Sequence, residues 1–577
     1  MSFTASPVLA LTLPLWRSRL LIGLFGLLFA IMVGRAIFLQ GMNTDFLQAK
    51  GESRYGRTLE ITANRGRITD RHGEVLAVST PVKSLGVISG EAAMTPQQLV
   101  SLSALLQMPV RDIERRLADS TTNFTYLRRQ VAPDVAEQVA GLRIPGLQLK
   151  NEFRRYYPGG EVMAHVIGFT GADDAGQEGM ELAYQSQLVG KAGSRRVIRD
   201  RPGAIVEDVE AIKQAEDGQD LMLSIDAKIQ NLAFGQLKAA VEGHRAKAGA
   251  VVVLDSNTGE VLALANLPTY NPNNRSRLAG APLRNRVLTD TFEPGSTMKP
   301  FTAAIALELG RVKPDTVIQT SPGKLTIGTA TISDSHPHGA LTVEGVLQKS
   351  SNIGTAKIAL GMEPREMWDM LNKSGFGIMP QVPFPGAVAG KVKPYKSWRP
   401  IEQVTMSYGY GLSVSLIQLA RAYTIFARDG ELMPLSFVRG DGELVRGEQV
   451  VSAQTARAVR RMLEMAASEG GTAPKARTMG YRVAGKTGTA HKLENGSYAE
   501  RKYRASFVGF APVSNPRLVI AVMIDEPSAG KYFGGDVAAP VFSQIMGGAL
   551  RLLSVVPDAP NKPIIMPPEG EEVQESI

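Results

Sequence analysis

Cysteine is absent from the 577 residues. Its absence removes disulfides, thiolate metal sites, iron–sulfur clusters and cysteine nucleophiles together. Histidine is scarce as well, with 6 residues. The close pair His336-Pro-His338 sits in a polar loop without a third ligand, so neither a metal nor another cofactor is indicated. Long apolar runs are lacking beyond a single stretch near the N-terminus, which excludes a polytopic membrane protein. Charge of one sign is not in great excess: 64 Lys+Arg stand against 55 Asp+Glu, a net +9. That balance permits an anionic partner and gives no ground for nucleic acid. Gly (58) and Pro (34) are too few for collagen-like or low-complexity architecture. What is present is an ordinary globular mixture, 44% hydrophobic and 21% charged. At roughly 100–200 residues per domain, the length allows three or four units.

Residues 20–34 are uncharged and mostly apolar, and residues 36–39 extend the run past Arg35. An arginine one turn from the end of a span can snorkel to the interface. No small-x-small cleavage site follows, so a retained transmembrane signal anchor is expected over residues 17–39 rather than a cleaved signal. Basic residues flank the span on both sides (Arg17 and Arg19, then Arg35, Lys50, Arg54 and Arg57), so charge alone does not orient it. Residues 40–216 mix short strand and helix patterns with Gly and Pro punctuation; residues 95–118 read as helical and 133–141 as a short helix. Composition changes after Asp217-Gly218. Residues 220–226 alternate like a strand entering a helix at 227–241, and residues 250–255 and 260–265 flank Ser-Asn-Thr-Gly as a hairpin. A second strand pair is expected at 505–512 and 518–525. Strands at both ends of a helix-rich middle predict an α+β domain over 217–556 whose sheet joins distant segments. Residues 557–577, rich in proline and glutamate, are expected to be disordered.

Two motif sets compete. Gly480-Tyr-Arg-Val-Ala-Gly485-Lys486-Thr487 satisfies the P-loop pattern. A phosphate cradle, however, needs a buried strand before it and a helix after it; residues 474–479 are no such strand, and 488–497 have no apolar helical face. The rival set is S-x-x-K, S-x-N and K-T-G in that order: Ser296-Thr-Met-Lys299, Ser350-Ser-Asn352 and Lys486-Thr-Gly488. Ser296 is expected to open a helix with Met298, Phe301, Ile305 and Leu309 on one face. That helix would bring Lys299 beside Ser296 to take its proton, with the helix N-terminus favouring a developing oxyanion. Ser350 can relay a proton, and Asn352 can bind a substrate amide. Lys486 adds positive charge that favours a neutral Lys299. Thr487 and Thr489 can hold a substrate carboxylate, while the backbone N–H groups of Ser296 and Thr489 can form an oxyanion hole. Lys486-Thr-Gly488 is expected on an edge strand open to strand addition. Other S-x-x-K matches, at Ser321 and Ser528, and a K-S-G at Lys373 that reads as a helix stop, show how weak each motif is alone.

Glu293-Pro-Gly-Ser-Thr-Met-Lys299, Ser350-Ser-Asn352 and Lys486-Thr-Gly-Thr489 together resemble a penicillin-binding protein, a serine D,D-transpeptidase that cross-links peptidoglycan. Asn64-Arg-Gly-Arg67, Arg155-Tyr-Tyr-Pro-Gly159, His165-Val-Ile-Gly168 and Gly179-Met-Glu181 resemble the pedestal module of the monofunctional class B group. Glu293 and Ser407-Tyr-Gly-Tyr-Gly411 are more similar to its cell-division branch. The resemblance implies an antiparallel sheet with helices on both sides, preceded by an elongated pedestal and one transmembrane helix. Residues 1–16 would be cytoplasmic and the catalytic domain periplasmic, at a bacterial inner membrane. The implied reaction passes through a Ser296 acyl-enzyme formed from a pentapeptide stem, which a side-chain amine of a neighbouring stem then resolves. β-Lactams would stall that acyl-enzyme, with Gly488, Tyr503, Tyr532 and Phe533 lining the binding wall. A polytopic glycan polymerase and other division proteins are the implied partners. His491 departs from the Arg or Lys often found there in the family, and a β-lactam sensor or a specialised paralogue with little turnover is the alternative reading.

Overall fold

The computed structural model describes residues 14–42, 56–88, 93–118, 124–199, 205–275, 278–441, 445–494 and 496–559. The chain divides into two units, residues 1–63 with 190–217 and residues 64–189 with 218–577. In the first unit, Leu15–Ile37 is a helix with no buried residue. The stretch Leu15–Gly41, of mean hydropathy 2.3, is long and apolar enough to cross a bilayer. Residues 1–13 of the expected N-terminal end lie outside the described residues. The same unit holds a three-stranded antiparallel sheet of Gly56–Ile61, Gly193–Arg199 and Ile205–Lys213.

The second unit opens with a sheet built on the long strand Val75–Ile88, which pairs with both Phe124–Val131 and Leu147–Tyr156. Its apolar face, including Leu85, Val87 and Leu127, is covered from the helical segments by Leu102, Leu106, Ile113 and Val139. The single helix expected over 95–118 is two helices, Pro96–Leu106 and Val110–Ala118. The first begins in a capping box between Thr95 and Gln98, and it stops at Gln107, which turns left-handed (φ 49°) two residues before Pro109. Proline disfavours helical geometry in the residue before it, Met108, so the helix cannot run on past Gln107. Pro133–Gly141 is helical as expected.

The strand expected over 220–226 shortens to Leu221–Met222. Asp226 is already a helix cap, its carboxylate accepting from the N–H groups of Lys228 and Ile229 and starting α1 (Ala227–Gly243). Beyond it stands a five-stranded antiparallel sheet of β1 (Ala248–Asp255), β2 (Val261–Leu267), β3 (Ala484–Glu494), β4 (Ser497–Ala511) and β5 (Leu518–Asp525), in the order β2-β1-β5-β4-β3. The hairpin β1–β2 and the pair β4–β5 are the expected ones, and the sheet does join distant segments. β4 starts earlier than its apolar pattern because its polar first half pairs with β3.

Every residue of β1 and β5 is buried, since both sheet faces are covered. Val251 and Val253 meet α1 and the C-terminal helix Ala539–Leu552 through Ile229, Ala233, Phe542 and Ile545. Ala250, Val252 and Leu254 meet the larger helical layer, among it Leu416–Ala427. Each such Val, Leu, Ile or Phe side chain contributes about 1.5–3 kcal/mol by burial. This is the expected α+β architecture, an antiparallel sheet with helices on both sides. Its edge strand β3 carries Lys486. Of the tail expected to be disordered, residues 560–577 lie outside the described residues, but 557–559 are held: Asp558 accepts from the N–H groups of Arg482 and Ser514, and Ala559 donates to Gly480.

Candidate active site

Ser296 does not open an α-helix. It lies in a 3₁₀ turn, Gly295–Met298, and α2 (Lys299–Glu308) begins only afterwards. The cause is Pro300, which has no N–H to reach back four residues. The Lys299 N–H bonds the Ser296 carbonyl instead, three residues back. Three residues per turn eclipse i and i+3, so Ser296 and Lys299 still share a side. Met298, Phe301 and Ile305 are buried as expected, whereas Leu309 ends the helix and is 43% exposed. Residues Lys299 to Ala306 are buried all round, so α2 is a core helix. The turn is clamped from three directions. The Gly295 N–H donates to the Gly409 carbonyl (3.1 Å), the Thr297 hydroxyl to Pro294 O (2.8 Å), and the buried Tyr423 hydroxyl to Thr297 O (2.8 Å).

Ser350 ends the helix Val343–Lys349 in the left-handed region, φ 59°. A serine held there is strained, and such strain collects at functional sites. Its position brings both of its oxygens to Lys299: Nζ donates to the Ser350 carbonyl and lies 3.0 Å from Oγ. Lys299 and Ser350 are both fully buried. Ser351 then caps the next helix, Asn352–Leu360, accepting from the Gly354 N–H and donating to Asp334 Oδ2 at 2.5 Å. Asn352 donates weakly to Ser333 O (3.3 Å), and its Oδ1 is buried without a partner. A substrate N–H would satisfy that oxygen.

On β3, Lys486 is fully buried, with Nζ 3.2 Å from Thr487 Oγ1. Thr487 Oγ1 in turn meets Thr472 Oγ1 at 2.9 Å. The Thr489 hydroxyl accepts from the Gly534 N–H (2.9 Å). Strand and turn touch closely. A Cβ on Gly295 would lie 3.4 Å from Thr489 O, and one on Gly488 would lie 2.8 Å from Pro294 O and 2.5 Å from Ser506 Oγ. Gly488→Ala is therefore expected to push the edge strand off the serine turn and slow acylation on the order of tenfold, because sub-ångström misplacement of reacting groups is costly. The rate of covalent labelling by a fluorescent penicillin measures this.

The three expected wall aromatics come together: Tyr503 and Tyr532 stack at 4.2 Å between ring centroids, and Phe533 lies tilted against Tyr532 at 4.5 Å. The row continues through His491 (4.8 Å from Tyr503) to Tyr498 (6.4 Å) and Tyr410 (6.0 Å from Tyr498). The P-loop match dissolves, since Gly485, Lys486 and Thr487 lie inside β3 and no helix follows them. Lys373 ends the helix Pro364–Lys373, with Gly375 at φ 88°, as a helix stop should. Sequence reasoning missed Thr472 and Asp334, which steady the second and third motifs, and it gave Glu293 no role of its own. His338, weighed from the sequence only as a metal ligand, has its pKa lowered by burial first, with the Lys349 charge acting in the same direction and Asp334 against it.

The family described as penicillin binding protein transpeptidase domain matches residues 249–547, and that described as penicillin-binding protein dimerisation domain matches 60–223. A probable peptidoglycan D,D-transpeptidase PenA of Neisseria gonorrhoeae is 44% identical over 537 residues, 92% of this chain and 92% of that one. The peptidoglycan D,D-transpeptidase FtsI of Escherichia coli K12 is 41% identical over 550 residues, 94% of this chain and 93% of its own. The solved apo transpeptidase domain of Burkholderia pseudomallei penicillin-binding protein 3 is 55% identical with a TM-score of 0.54, covering 59% of this chain and 98% of that domain.

Proposed function

The chain belongs to the penicillin-binding transpeptidase family, as a serine-type peptidoglycan D,D-transpeptidase of the class B, cell-division kind, and from that premise we propose that Ser296 is its acylated residue. The observation that carries the assignment is the buried Lys299, on the same turn as Ser296 and bonded to both oxygens of Ser350. Lys299 takes the Ser296 proton as Oγ attacks the D-Ala–D-Ala carbonyl. Ser350 passes a proton on to the departing D-Ala amine. The Ser296 and Thr489 N–H groups receive the oxyanion, a reading supported by the closeness of Gly295 to the Thr489 carbonyl. Asn352 Oδ1 accepts from a backbone N–H of the donor stem. Lys486, with the Thr487 and Thr489 hydroxyls, holds the terminal carboxylate, and Tyr503, Tyr532 and Phe533 bear on apolar substituents of substrate or β-lactam.

In the second step, the side-chain amine of a neighbouring stem attacks the ester and frees Ser296. The helix Leu15–Ile37 would anchor the enzyme with its catalytic unit on the outer, periplasmic side, where cross-linking takes place. A glycan polymerase of the septum would supply its strands. The test uses the full chain in detergent with fluorescent penicillin and lipid-linked pentapeptide glycan. A long-lived label together with cross-linked dimer product is the expected result. Rapid release of the label would mark a lactamase instead, and a stable label without dimer would mark a sensor.

A further inference from the structure

Glu293 stands two residues before the serine turn, and the proposed chemistry leaves it unused. Its Oε1 accepts from the Gly411 N–H (2.8 Å) and from the Tyr498 hydroxyl (3.2 Å). Its Oε2 is buried and has no hydrogen-bond partner. Among the described residues no lysine or arginine pairs with it. Arg504, the cation whose charge reaches it, is committed to Asp525 Oδ1 (3.0 Å) and to Thr291 O (3.2 Å). Burial pushes the Glu293 carboxyl above its ordinary range, against the Gly411 and Tyr498 bonds. A half-satisfied carboxylate of this kind calls for a donor that is not part of the fold.

Its surroundings specify the donor. The Tyr410 and Tyr498 rings meet at 6.0 Å and 75°, and Tyr408 stands 5.9 Å from Tyr410. Burial first, and then the Glu293 charge, raise the Tyr410 and Tyr498 phenols, so both rings stay neutral. A carboxylate set among electron-rich rings attracts an organic cation and repels an anion. The two substrates of the reaction differ in that respect. The donor presents a carboxylate, which suits Lys486 on β3, whereas the acceptor presents an amine that is protonated in solution.

We propose that Glu293, with the rings of Tyr410 and Tyr498, is the subsite that receives the acceptor stem as its side-chain ammonium. This rests on the transpeptidase reading and adds the acceptor's half of the site. On transfer, the C–N bond forms as the ester C–O bond to Ser296 breaks. Of the two protons the ammonium loses, one ends on Ser296 Oγ and one goes to solvent, so Glu293 is a positioning group that binds charge and is not consumed.

The test measures partition of the acyl-enzyme in full-length protein, using a D-alanyl thioester as donor. Two acceptors are compared: a stem tripeptide with a charged side-chain amine, and hydroxylamine, which is uncharged at neutral pH. Amide product is measured against hydrolysis product as acceptor concentration rises. Glu293→Gln is expected to raise the half-effective concentration of the charged amine about tenfold. The value for hydroxylamine is expected to move by less than about twofold. Glu293→Asp should recover part of the loss. Equal shifts for the two acceptors, or no shift for the charged one, would overturn the subsite. Penicillin labelling, which needs no amine, reports the folded donor side. Failure of the wild type to label would refute the transpeptidase reading itself, not the subsite. Should the glutamine variant not fold, Tyr498→Ala carries the same test. Its ring is half exposed, and the same selective loss is expected.

Discussion

Alanine in place of Ser296 is expected to abolish covalent labelling by penicillin, and alanine or arginine in place of Lys299 is expected to slow it by about 10³-fold or more. The first result follows because the other hydroxyl on the turn, Thr297, is turned away to Pro294 O (2.8 Å), and no cysteine exists to substitute. The second rests on burial. Lys299 is fully enclosed on a core helix, where an amine is kept only for a purpose, and it reaches both the carbonyl and the hydroxyl of Ser350. A 10³-fold loss corresponds to about 4 kcal/mol of transition-state stabilisation, within the range of a positioned general base. Arginine does not rescue, because guanidinium does not release its proton at accessible pH and so cannot accept one. Labelling rates at fixed penicillin concentration decide the matter. A labelled Ser296→Ala, or a Lys299→Arg that labels at the wild-type rate, would sink the assignment. Since both side chains are buried, each variant is first checked for an unchanged melting transition.

What the sequence made legible was local. S-x-x-K was readable because a serine and a lysine three apart share a side in either a 3₁₀ turn or an α-helix, so the expectation does not depend on where the helix starts. K-T-G was readable because β3 is an edge strand whose hairpin partner follows directly in the chain. The unreadable parts are held by tertiary contacts that no spacing encodes. Asp334 reaches Ser351 and the Ile353 N–H from a polar loop, Thr472 reaches Thr487 from beyond another helix, and Glu293 owes its partners to Gly411 and Tyr498, each more than a hundred residues away. The docked Asp558 belongs to the same class. Composition spoke for a frayed tail, and two N–H groups from separate loops fix its first residues.

The resemblance of Asn64-Arg-Gly-Arg67, Arg155-Tyr-Tyr-Pro-Gly159 and Gly179-Met-Glu181 to a pedestal has a physical core, and it predicts the second large effect. The three segments meet in one buried ion cluster. Glu181 accepts from Arg65 Nε at 2.7 Å and from Arg155 Nε at 2.6 Å. Arg65 also donates to the carbonyls of Asp174 and Glu181, and Arg155 to Gly66 O and Ser79 Oγ. Glu181 has no exposed surface, and the side chains of both arginines are 1% exposed. Glu181→Ala would leave two guanidinium charges facing each other without water, and unpairing a buried charge costs about 3–5 kcal/mol. That is a large part of the roughly 5–15 kcal/mol by which a domain is stable. The expected outcome in thermal denaturation of the detergent-solubilised chain is a lower or lost first transition, with Glu181→Gln intermediate. Because the cluster is distant in chemistry from Ser296, the folded fraction should still label with penicillin at the wild-type rate. Changing all three residues to apolar ones of similar volume should restore much of the stability, as replaced buried ion clusters often do. If Glu181→Ala melts like the wild type, the cluster does not hold the three segments together. If it folds but fails to label, the ion cluster is coupled to the active site by a route other than its own hydrogen bonds.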